Sequence, residues 1–172
     1  PMNAEEIKAA IKPIHPEWRP IVLRPLLSAA LAEVGKLAAV GTIHPPAPLV
    51  FRAFWDPPVH KVVLVGQDPY PNDTACGLSF SSYKMTPSQR PICALLDLHG
   101  SDLTAWTDRC LLLNMALTCV KSKDHVDAWT PYMISLVGAI DEFRPSLVWI
   151  LLGAKAQELA PHIKKGTVLQ WG

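Results

Sequence analysis

Short apolar runs alternate with longer amphipathic segments along this chain of 172 residues. Four of the runs are rich in leucine, isoleucine and valine, and their length and composition predict strands, of which the first two are expected to be buried. These runs are Lys61–Val65, Cys110–Asn114, Ser146–Leu152 and Thr167–Trp171. Continuous apolar strands separated by helical segments are typical of a parallel sheet that is covered on both faces. The pattern therefore predicts one α/β domain over residues 1–172, with three α/β/α layers around a central four-stranded parallel sheet.

Apolar residues at helical spacing predict the helices between these strands. The predicted helices span Ala4–Lys12, Ile21–Val40, Thr130–Phe143 and Ala154–Lys164, and a further short helix follows Pro87 and Pro91 and ends over Leu95–Leu98. Thr130 is the predicted N-cap of its helix, because Pro131 after it suits the first helical position.

Composition and charge narrow the class of protein. Hydrophobic residues make up 49% of the chain and charged residues 18%, which is typical of a globular domain and not of a disordered segment. No apolar run reaches the roughly 18–20 residues of a membrane span, so no membrane association is predicted. The net charge of +1 permits nucleic-acid binding without predicting it. The four cysteines form no C-x-x-C pair, and we expect reduced, buried thiols in an intracellular protein with no metal site.

Polar residues follow the predicted strands at the points where the strands end. Gln67–Pro71 follow the first strand, Asn114 ends the second, and Gly153 and Ala154 follow the third. Ligands of open parallel sheets bind outside the carboxyl ends of the strands. We therefore expect these residues to converge at one edge of the sheet.

Each candidate residue also has a structural interpretation when it is taken alone. Asp before Pro is a common turn former, so Asp68 could be structural or catalytic. Asn114 could cap a loop, or its amide could pair with the edge of a base. Tyr70 and Phe80 could be ordinary half-buried aromatics.

The order of the motifs resembles that of the family 1 uracil-DNA glycosylases. The segment Gly66-Gln67-Asp68-Pro69-Tyr70-Pro71 is followed by Gly77-Leu78-Ser79-Phe80-Ser81, by the proline turn Thr86-Pro87-Ser88 and by Leu111-Leu112-Leu113-Asn114. The resemblance covers the chain from about Pro45 to Trp171.

The resemblance implies a DNA-repair hydrolase that flips uracil out of DNA and cleaves the bond between uracil and deoxyribose, which leaves an abasic site. Asp68 would position and polarise the attacking water. Tyr70 would exclude the methyl group of thymine, Phe80 would stack on the flipped ring, and Asn114 would read the edge of the base. Gln67 would contribute to the pocket wall, largely through its backbone.

The resemblance also implies DNA contacts, partners and a location. The contacts with the DNA strand would come from Pro87, Ser88, Gly153 and Ala154. The enzyme would need no metal and no organic cofactor. It would be an intracellular monomer, in the cytoplasm and nucleoid or in the nucleus, and it could be encoded by a virus. Its partners would be uracil-containing DNA and, as further candidates, a proteinaceous inhibitor or replication proteins.

Three departures from the family's pattern qualify these expectations. Pro71 stands where most members have His, although some viral members also have Pro, and Ala154 lacks the hydroxyl of the matching Ser. The family's His-Pro-Ser segment, whose His stabilises charge on uracil, is not found after the fourth strand. We therefore expect that the C-terminal segment of the domain is missing. We also expect His125 and His162 to be exposed to solvent, and therefore to be poor substitutes.

Two alternative functions belong to other classes of protein. The first is a catalytically impaired relative that acts as a DNA-binding or replication-complex subunit, which would have no need of Asp68 as a water-positioning carboxylate. The second is an unrelated nucleotide-binding α/β domain. That domain would need a glycine-rich phosphate loop, and the chain has neither a G-x-G-x-x-G nor a Walker pattern.

Overall fold

The strands of the domain lie close to their predicted positions. The computed structural model describes residues 2–87, 89–95, 99–100 and 103–172. Within these residues the strands are β1 (Val62–Gly66), β2 (Cys110–Asn114), β3 (Cys119–Val120), β4 (Lys123–Asp124), β5 (Val148–Leu152) and β6 (Thr167–Trp171). The strands β3 and β4 form a small antiparallel hairpin that the apolar pattern did not predict.

The main sheet has four parallel strands in the order β2-β1-β5-β6. The strand β1 lies in the interior of the sheet, and its Val63 and Val65 are fully buried. Gly66 at the end of β1 pairs in register with Asn114 at the end of β2. The parallel sheet with its helices confirms the predicted fold class, and it brings the carboxyl ends of β1 and β2 side by side.

The helices of the described residues differ more from the prediction. They are α1 (Ala4–Ile11), α2 (Arg19–Val22), α3 (Leu26–Leu37), α4 (Gln89–Leu95), α5 (Val126–Phe143) and α6 (Ala154–Gln157). The prediction of one helix over Ile21–Val40 was wrong, since α2 ends at Val22 and α3 begins at Leu26. Pro25 explains the break, because proline has no N–H and disfavours the helical conformation of the residue before it.

The start of α5 was also predicted wrongly. The helix begins at Val126, and Thr130 lies inside it, where the Thr130 hydroxyl donates to the Val126 carbonyl (2.8 Å). The Asp124 carboxylate accepts a hydrogen bond from the N–H of Val126 (3.1 Å) and so satisfies one of the free donors at the helix start. Pro131 is therefore an interior residue of α5.

Two shorter helices also depart from their predicted ends. The helix α4 begins at Gln89, before Pro91, and the predicted end at Leu98 lies outside the described residues. The helix α6 ends at Gln157, and a separate 3₁₀ turn follows over Ala160–His162. Pro161 lies at the start of that turn, where its missing N–H leaves no bond unmade, whereas within a continuous helix to Lys164 it would remove one hydrogen bond.

A core of large aromatic side chains packs around α5. The ring of Trp129 meets the rings of Phe51 and Tyr132 edge to face, at centroid distances of 6.4 Å and 5.6 Å. The buried hydroxyl of Tyr132 donates to the carbonyl of Val22 (2.8 Å), which ties α5 to α2. Among the described residues, no helix is long and apolar enough to cross a membrane.

A buried carboxylate fixes the loop that leads into β6. Asp141 of α5 accepts hydrogen bonds from the N–H groups of Lys164 (2.7 Å), Lys165 (2.7 Å) and Gly166 (2.8 Å). Burial raises the pKa of Asp141, but these three donors outweigh burial, and the pKa lies below its ordinary value. The carboxylate thus fixes the start of β6, whose first residue is Thr167.

Candidate active site

A cavity of about 340 Å³ opens at the carboxyl ends of β1 and β2. Five predicted site residues line it together with apolar side chains: Gln67, Asp68, Tyr70, Phe80 and Asn114. Its volume lies at the small end of ligand sites, which span about 300–1,000 Å³. We call this space the base pocket, after the nucleobase that the resemblance leads us to expect there.

Gly66 lets two of these side chains approach the end of β1. A Cβ atom at Gly66 would lie 2.8 Å from Oδ1 of Asn114 and 3.0 Å from the ring of Phe80. Both distances are shorter than normal contacts, so only glycine allows the amide and the ring to lie over the strand end. Asn114 is buried, with 9% of its surface exposed.

Phe80 has an unusual backbone conformation, with φ = +57°. A bulky residue in the left-handed region costs on the order of 1–3 kcal/mol and persists only where its surroundings enforce it. The neighbouring Ser79 hydroxyl donates to the Leu64 carbonyl of β1 (3.2 Å), and the Gln89 amide donates to the Phe80 carbonyl (2.6 Å). These bonds hold the Phe80 ring at one wall of the base pocket.

Asp68 is half-buried in the loop Gln67–Pro71, which follows β1. Burial raises its pKa, the Asp124 carboxylate raises it further, and a hydrogen bond from the Gln67 side chain lowers it in part. The same environment acts on Cys119, since burial and the charges of Asp68 and Asp124 raise the pKa of this thiol to about 12. The thiol donates to the carbonyl of Pro69 (3.3 Å) and so supports the loop that carries Asp68.

Tyr70 is tied to the proline turn through its hydroxyl group. The Thr86 hydroxyl lies 2.8 Å from the Tyr70 hydroxyl. Pro71, the residue that departs from the family's pattern, is exposed and lies at the edge of the base pocket.

The predicted DNA-contacting residues do not line the base pocket. Gly153 and Ala154 follow β5 at the same edge of the sheet, and the N–H of Gly153 donates to the carbonyl of Trp171 (2.9 Å). Pro87 is exposed beside Thr86, and the predicted contact residue Ser88 lies outside the described residues. The expected convergence therefore holds for β1 and β2, whereas the β5 exit lies outside the pocket wall.

The expectation that His125 is exposed was wrong. Only 1% of its surface is exposed, and its Nδ1 lies 3.0 Å from the Thr118 hydroxyl, which also accepts from the indole N–H of Trp129 (2.8 Å). Burial lowers the pKa of His125, while Asp124 raises it in part. His162 is half-buried in a 3₁₀ turn, so its expected exposure was only partly correct. Neither histidine lines the base pocket.

Three residues around the site were missed from sequence, namely Thr86, Gln89 and Asp124. Thr86 and Gln89 have the T-x-x-Q spacing of a helix capping box, and this local signal could have been read before α4. No local sequence pattern marks Asp124, because its charge raises the pKa of Asp68 only through the β3–β4 hairpin, which was not predicted.

The fold and the pocket together define an α/β protein with a ring-sized cleft, lined by a carboxylate, two aromatic rings and an amide, at one end of a parallel sheet. Residues 54–171 match the model of the uracil DNA glycosylase superfamily. The chain is 36% identical to a uracil-DNA glycosylase of Chromobacterium violaceum, over 90% of this chain and 74% of that protein. It is also 36% identical to the uracil-DNA glycosylase of Epstein-Barr virus, over 83% of this chain and 64% of that protein.

Solved structures share the fold at lower identity. The crystal structure of mimivirus uracil-DNA glycosylase superposes with a TM-score of 0.79 at 20% identity, over 96% of this chain and 71% of that chain. A variant of the mimivirus protein in complex with UGI superposes equally well, with a TM-score of 0.79. The chain therefore belongs to the uracil-DNA glycosylase superfamily, in agreement with the resemblance to family 1. This membership rules out the unrelated nucleotide-binding domain.

Proposed function

We propose that this protein is a DNA-repair glycosylase that hydrolyses the N-glycosidic bond between uracil and deoxyribose in DNA and leaves an abasic site. The observation that carries the proposal is the base pocket itself, in which Asp68, Tyr70, Phe80 and Asn114 surround one ring-sized space. A base inside a duplex cannot reach such a pocket, so the nucleotide has to rotate out of the stack.

Phe80 and Asn114 would recognise the flipped base. The Phe80 ring offers a flat face for stacking, and its position is fixed by the backbone bonds around it. The Asn114 amide has a donor for a uracil carbonyl and an acceptor for the ring N–H. Cytosine presents the opposite pattern, with a donor and an acceptor exchanged, and a buried amide that is left unpaired disfavours binding.

Asp68 would carry the hydrolytic chemistry. The oxygen of a water molecule attacks C1′ of deoxyribose, and the C1′–N1 bond breaks with its electron pair leaving on uracil. The Asp68 carboxylate orients this water and takes up one of its protons, which ends on the released base, so that the products are uracil and an abasic sugar. The negative charge of Asp68 also stabilises the cationic sugar of the transition state.

Tyr70 would set the specificity against thymine. Its ring lies in the pocket wall beside the loop that carries Asp68. Thymine differs from uracil only by a methyl group, which a pocket can reject by steric clash when the blocking ring cannot move aside.

We further propose that the DNA strand runs along the edge of the sheet outside the base pocket. Pro87 and Ser88 in the proline turn would contact it on one side, and Gly153 with Ala154 after β5 would contact it on the other. Few cations are needed for this arrangement, since backbone and loop contacts to phosphates can fix the strand, in keeping with the net charge of +1. We also propose that the protein acts as a monomer in the compartment that holds the DNA, and that it needs no metal or organic cofactor.

A proteinaceous inhibitor is a further candidate partner. Support for it comes from the mimivirus variant that was solved in complex with UGI. An inhibitor that mimics DNA would cover the same edge of the sheet and would compete with uracil-containing DNA.

The direct test is a cleavage assay on a single-stranded oligonucleotide with one uracil, followed by alkaline scission at abasic sites. The assay compares residues 1–172 with a chain that carries in addition the C-terminal segment of the Chromobacterium violaceum relative, aligned after Gly172. Cleavage by either chain, and its loss in Asp68→Asn, would support the proposal. If neither chain cleaves although both bind the oligonucleotide, the DNA-binding subunit becomes the better description.

A further inference from the structure

The side chain of Gln89 joins two walls of the base pocket. It lies on α4, outside the pocket, and is fully buried, with 0% of its surface exposed. Its Nε2 donates to the carbonyl of Phe80 (2.6 Å), and its Oε1 accepts from the N–H of Thr86 (3.0 Å).

The partners fix the orientation of this amide. A backbone carbonyl can only accept and a backbone N–H can only donate, so the Gln89 nitrogen has to face Phe80 and the oxygen has to face Thr86. A flipped amide would lose both bonds in a buried site, where an unpaired polar group costs about 1–3 kcal/mol. The Gln89 side chain is therefore held in one orientation, and its hydrogen bonds restrict the positions of Phe80 and Thr86.

The first partner of Gln89 is Phe80, whose ring forms the wall of the base pocket on which the base would stack. Phe80 has a left-handed backbone conformation with φ = +57°. The Gln89 side chain donates to the carbonyl of this same residue. The carbonyl and the ring belong to the same residue, so fixing the peptide plane restricts the direction in which the ring points.

The second partner is the wall formed by Tyr70. The Thr86 hydroxyl lies 2.8 Å from the Tyr70 hydroxyl and 3.2 Å from Oε1 of Gln89. Both bonds form together when Tyr70 donates to Thr86 and Thr86 donates to Gln89, because Oε1 can only accept. A chain of hydrogen bonds thus connects the Gln89 amide to the Tyr70 ring.

We propose that Gln89 is a positioning residue that holds Phe80 and Tyr70 at a fixed spacing, and that it thereby sets both the affinity for uracil and the rejection of thymine. This inference rests on the proposed glycosylase function. Gln89 touches no reacting atom, and it acts through the two aromatic walls.

Helix capping is the competing explanation for Gln89. Its Oε1 accepts from the backbone N–H of Thr86, as the Gln at the end of a T-x-x-Q capping box does. Capping uses only the oxygen of the amide, however. The Nε2 bond to Phe80 is not needed for a cap, and this difference lets an experiment separate the two roles.

The decisive variant is Gln89→Glu. Glutamate caps a helix as well as glutamine does, but its carboxylate cannot donate to the Phe80 carbonyl. A buried carboxyl beside a carbonyl is protonated at a higher pH than usual, and the protonated acid can donate again. We expect kcat/KM on uracil-containing DNA, relative to the unsubstituted chain, to be about tenfold lower near pH 8, the equivalent of one lost buried hydrogen bond. This ratio should rise towards one at about pH 5.5, where the acid regains its proton.

The second variant, Gln89→Met, has a side chain of similar length without hydrogen bonds. Its kcat/KM should be lower by about tenfold at every pH, and its relative rate on thymine should rise. The matched control is Tyr132→Phe, which removes another buried hydrogen bond, to Val22 (2.8 Å), far from the base pocket. This control should lose thermal stability to a similar degree and keep both its kcat/KM and its rejection of thymine.

Affinity for free uracil, measured by calorimetry, gives a readout that does not need turnover, and it should show the same dependence on pH. A pH-independent ratio for Gln89→Glu, or unchanged selectivity in Gln89→Met, would reduce Gln89 to a helix cap and overturn the inference. If the unsubstituted chain neither cleaves uracil-containing DNA nor binds uracil, the proposed function itself fails. If it does either and the variants behave like Tyr132→Phe, only this inference fails.

Discussion

Asp124 lies close enough to Asp68 for its negative charge to raise the pKa of Asp68, in addition to the larger increase that burial causes. The two residues are far apart in sequence, and the β3–β4 hairpin brings them together. The carboxylate of Asp124 has a second contact, since it accepts a hydrogen bond from the N–H of Val126 at the start of α5 (3.1 Å). One residue thus links the position of a long helix to the acidity of the proposed catalytic group.

The Asp124→Asn variant should therefore work at lower pH. Catalysis needs the ionised form of Asp68, so the rate falls as the pH drops through its pKa. Removing the nearby negative charge lowers that pKa and moves the acid limb of the profile of kcat/KM against pH to lower values. The asparagine oxygen can still accept from Val126. Asp127→Asn is the control, because it removes the same charge in the first turn of α5, and it should leave the acid limb in place. Equal shifts in both variants would argue for a general charge effect.

The Asp68→Asn variant should lose turnover and keep affinity for DNA. The amide has the shape of the carboxylate but cannot take a proton from water, and losses of about 10²–10⁴-fold in kcat are typical for such groups. Single-turnover cleavage and fluorescence anisotropy on a uracil-containing oligonucleotide measure the two quantities separately. A large loss of affinity would contradict the assigned role, since it would make Asp68 a binding residue.

The Tyr70→Ala variant should cleave thymine from DNA. Removal of the ring opens space for the methyl group at the wall of the base pocket. Tyr70→Phe keeps the ring and loses the hydroxyl bond to Thr86, so its rate on thymine should lie between those of Tyr70→Ala and the unsubstituted chain. Abasic-site formation on a thymine oligonucleotide measures this, and a Tyr70→Ala variant as selective as the parent would remove Tyr70 from the specificity site.

The Asp141→Ala variant should lower the free energy of unfolding by about 2–5 kcal/mol at neutral pH, because three backbone N–H groups lose a buried, charged acceptor. The pKa of Asp141 is depressed in the folded state. Its stabilising effect is therefore complete above the unfolded value of about 4 and disappears as the pH falls through the folded value. The difference from the parent, measured by urea denaturation, should shrink in that range.

A neighbouring residue supplies the control for Asp141. Glu142 makes an ion pair with Lys165 (2.6 Å), but both side chains are largely exposed. Glu142→Gln should change stability by less than about 1 kcal/mol. A loss as large as that of Asp141→Ala would mean that general charge near β6, and not the three backbone hydrogen bonds to Asp141, stabilises the loop.

The sheet was predictable because its strands carry their own signal. Buried parallel strands are continuous apolar runs, so β2 was found at its observed ends. The strand β6 was also found at its observed ends, although most of its residues are exposed at the edge of the sheet. The start of α5 was not found, because Pro131 fits the first helical turn equally well and the true start depends on Asp124. His125 follows the exposed polar strand β4, and its burial depends on Thr118 and Trp129, which no local pattern connects to it.

Some residues of the site could be predicted from the sequence and others could not. Asp68, Tyr70, Phe80 and Asn114 were identified from the order of the motifs, and the fold brings them into one pocket. Gln89 was not identified, because its importance comes from a contact with the carbonyl of Phe80 across a loop. A hydrogen bond to the backbone leaves no requirement on the partner's side chain, so it leaves no pattern in the sequence.

The thiol of Cys119 lies beside the loop that carries Asp68, and its high pKa makes it unreactive. Oxidants and alkylating reagents attack the thiolate, and a thiol whose pKa is raised to about 12 stays protonated at neutral pH. Burial is the largest cause of this value, and the charges of Asp68 and Asp124 add to it. Of these two carboxylates, Asp68 is the group that the proposed reaction uses. A repair enzyme that meets DNA under oxidative stress can therefore keep a sulfur atom beside its catalytic loop without that atom becoming a target for inactivation.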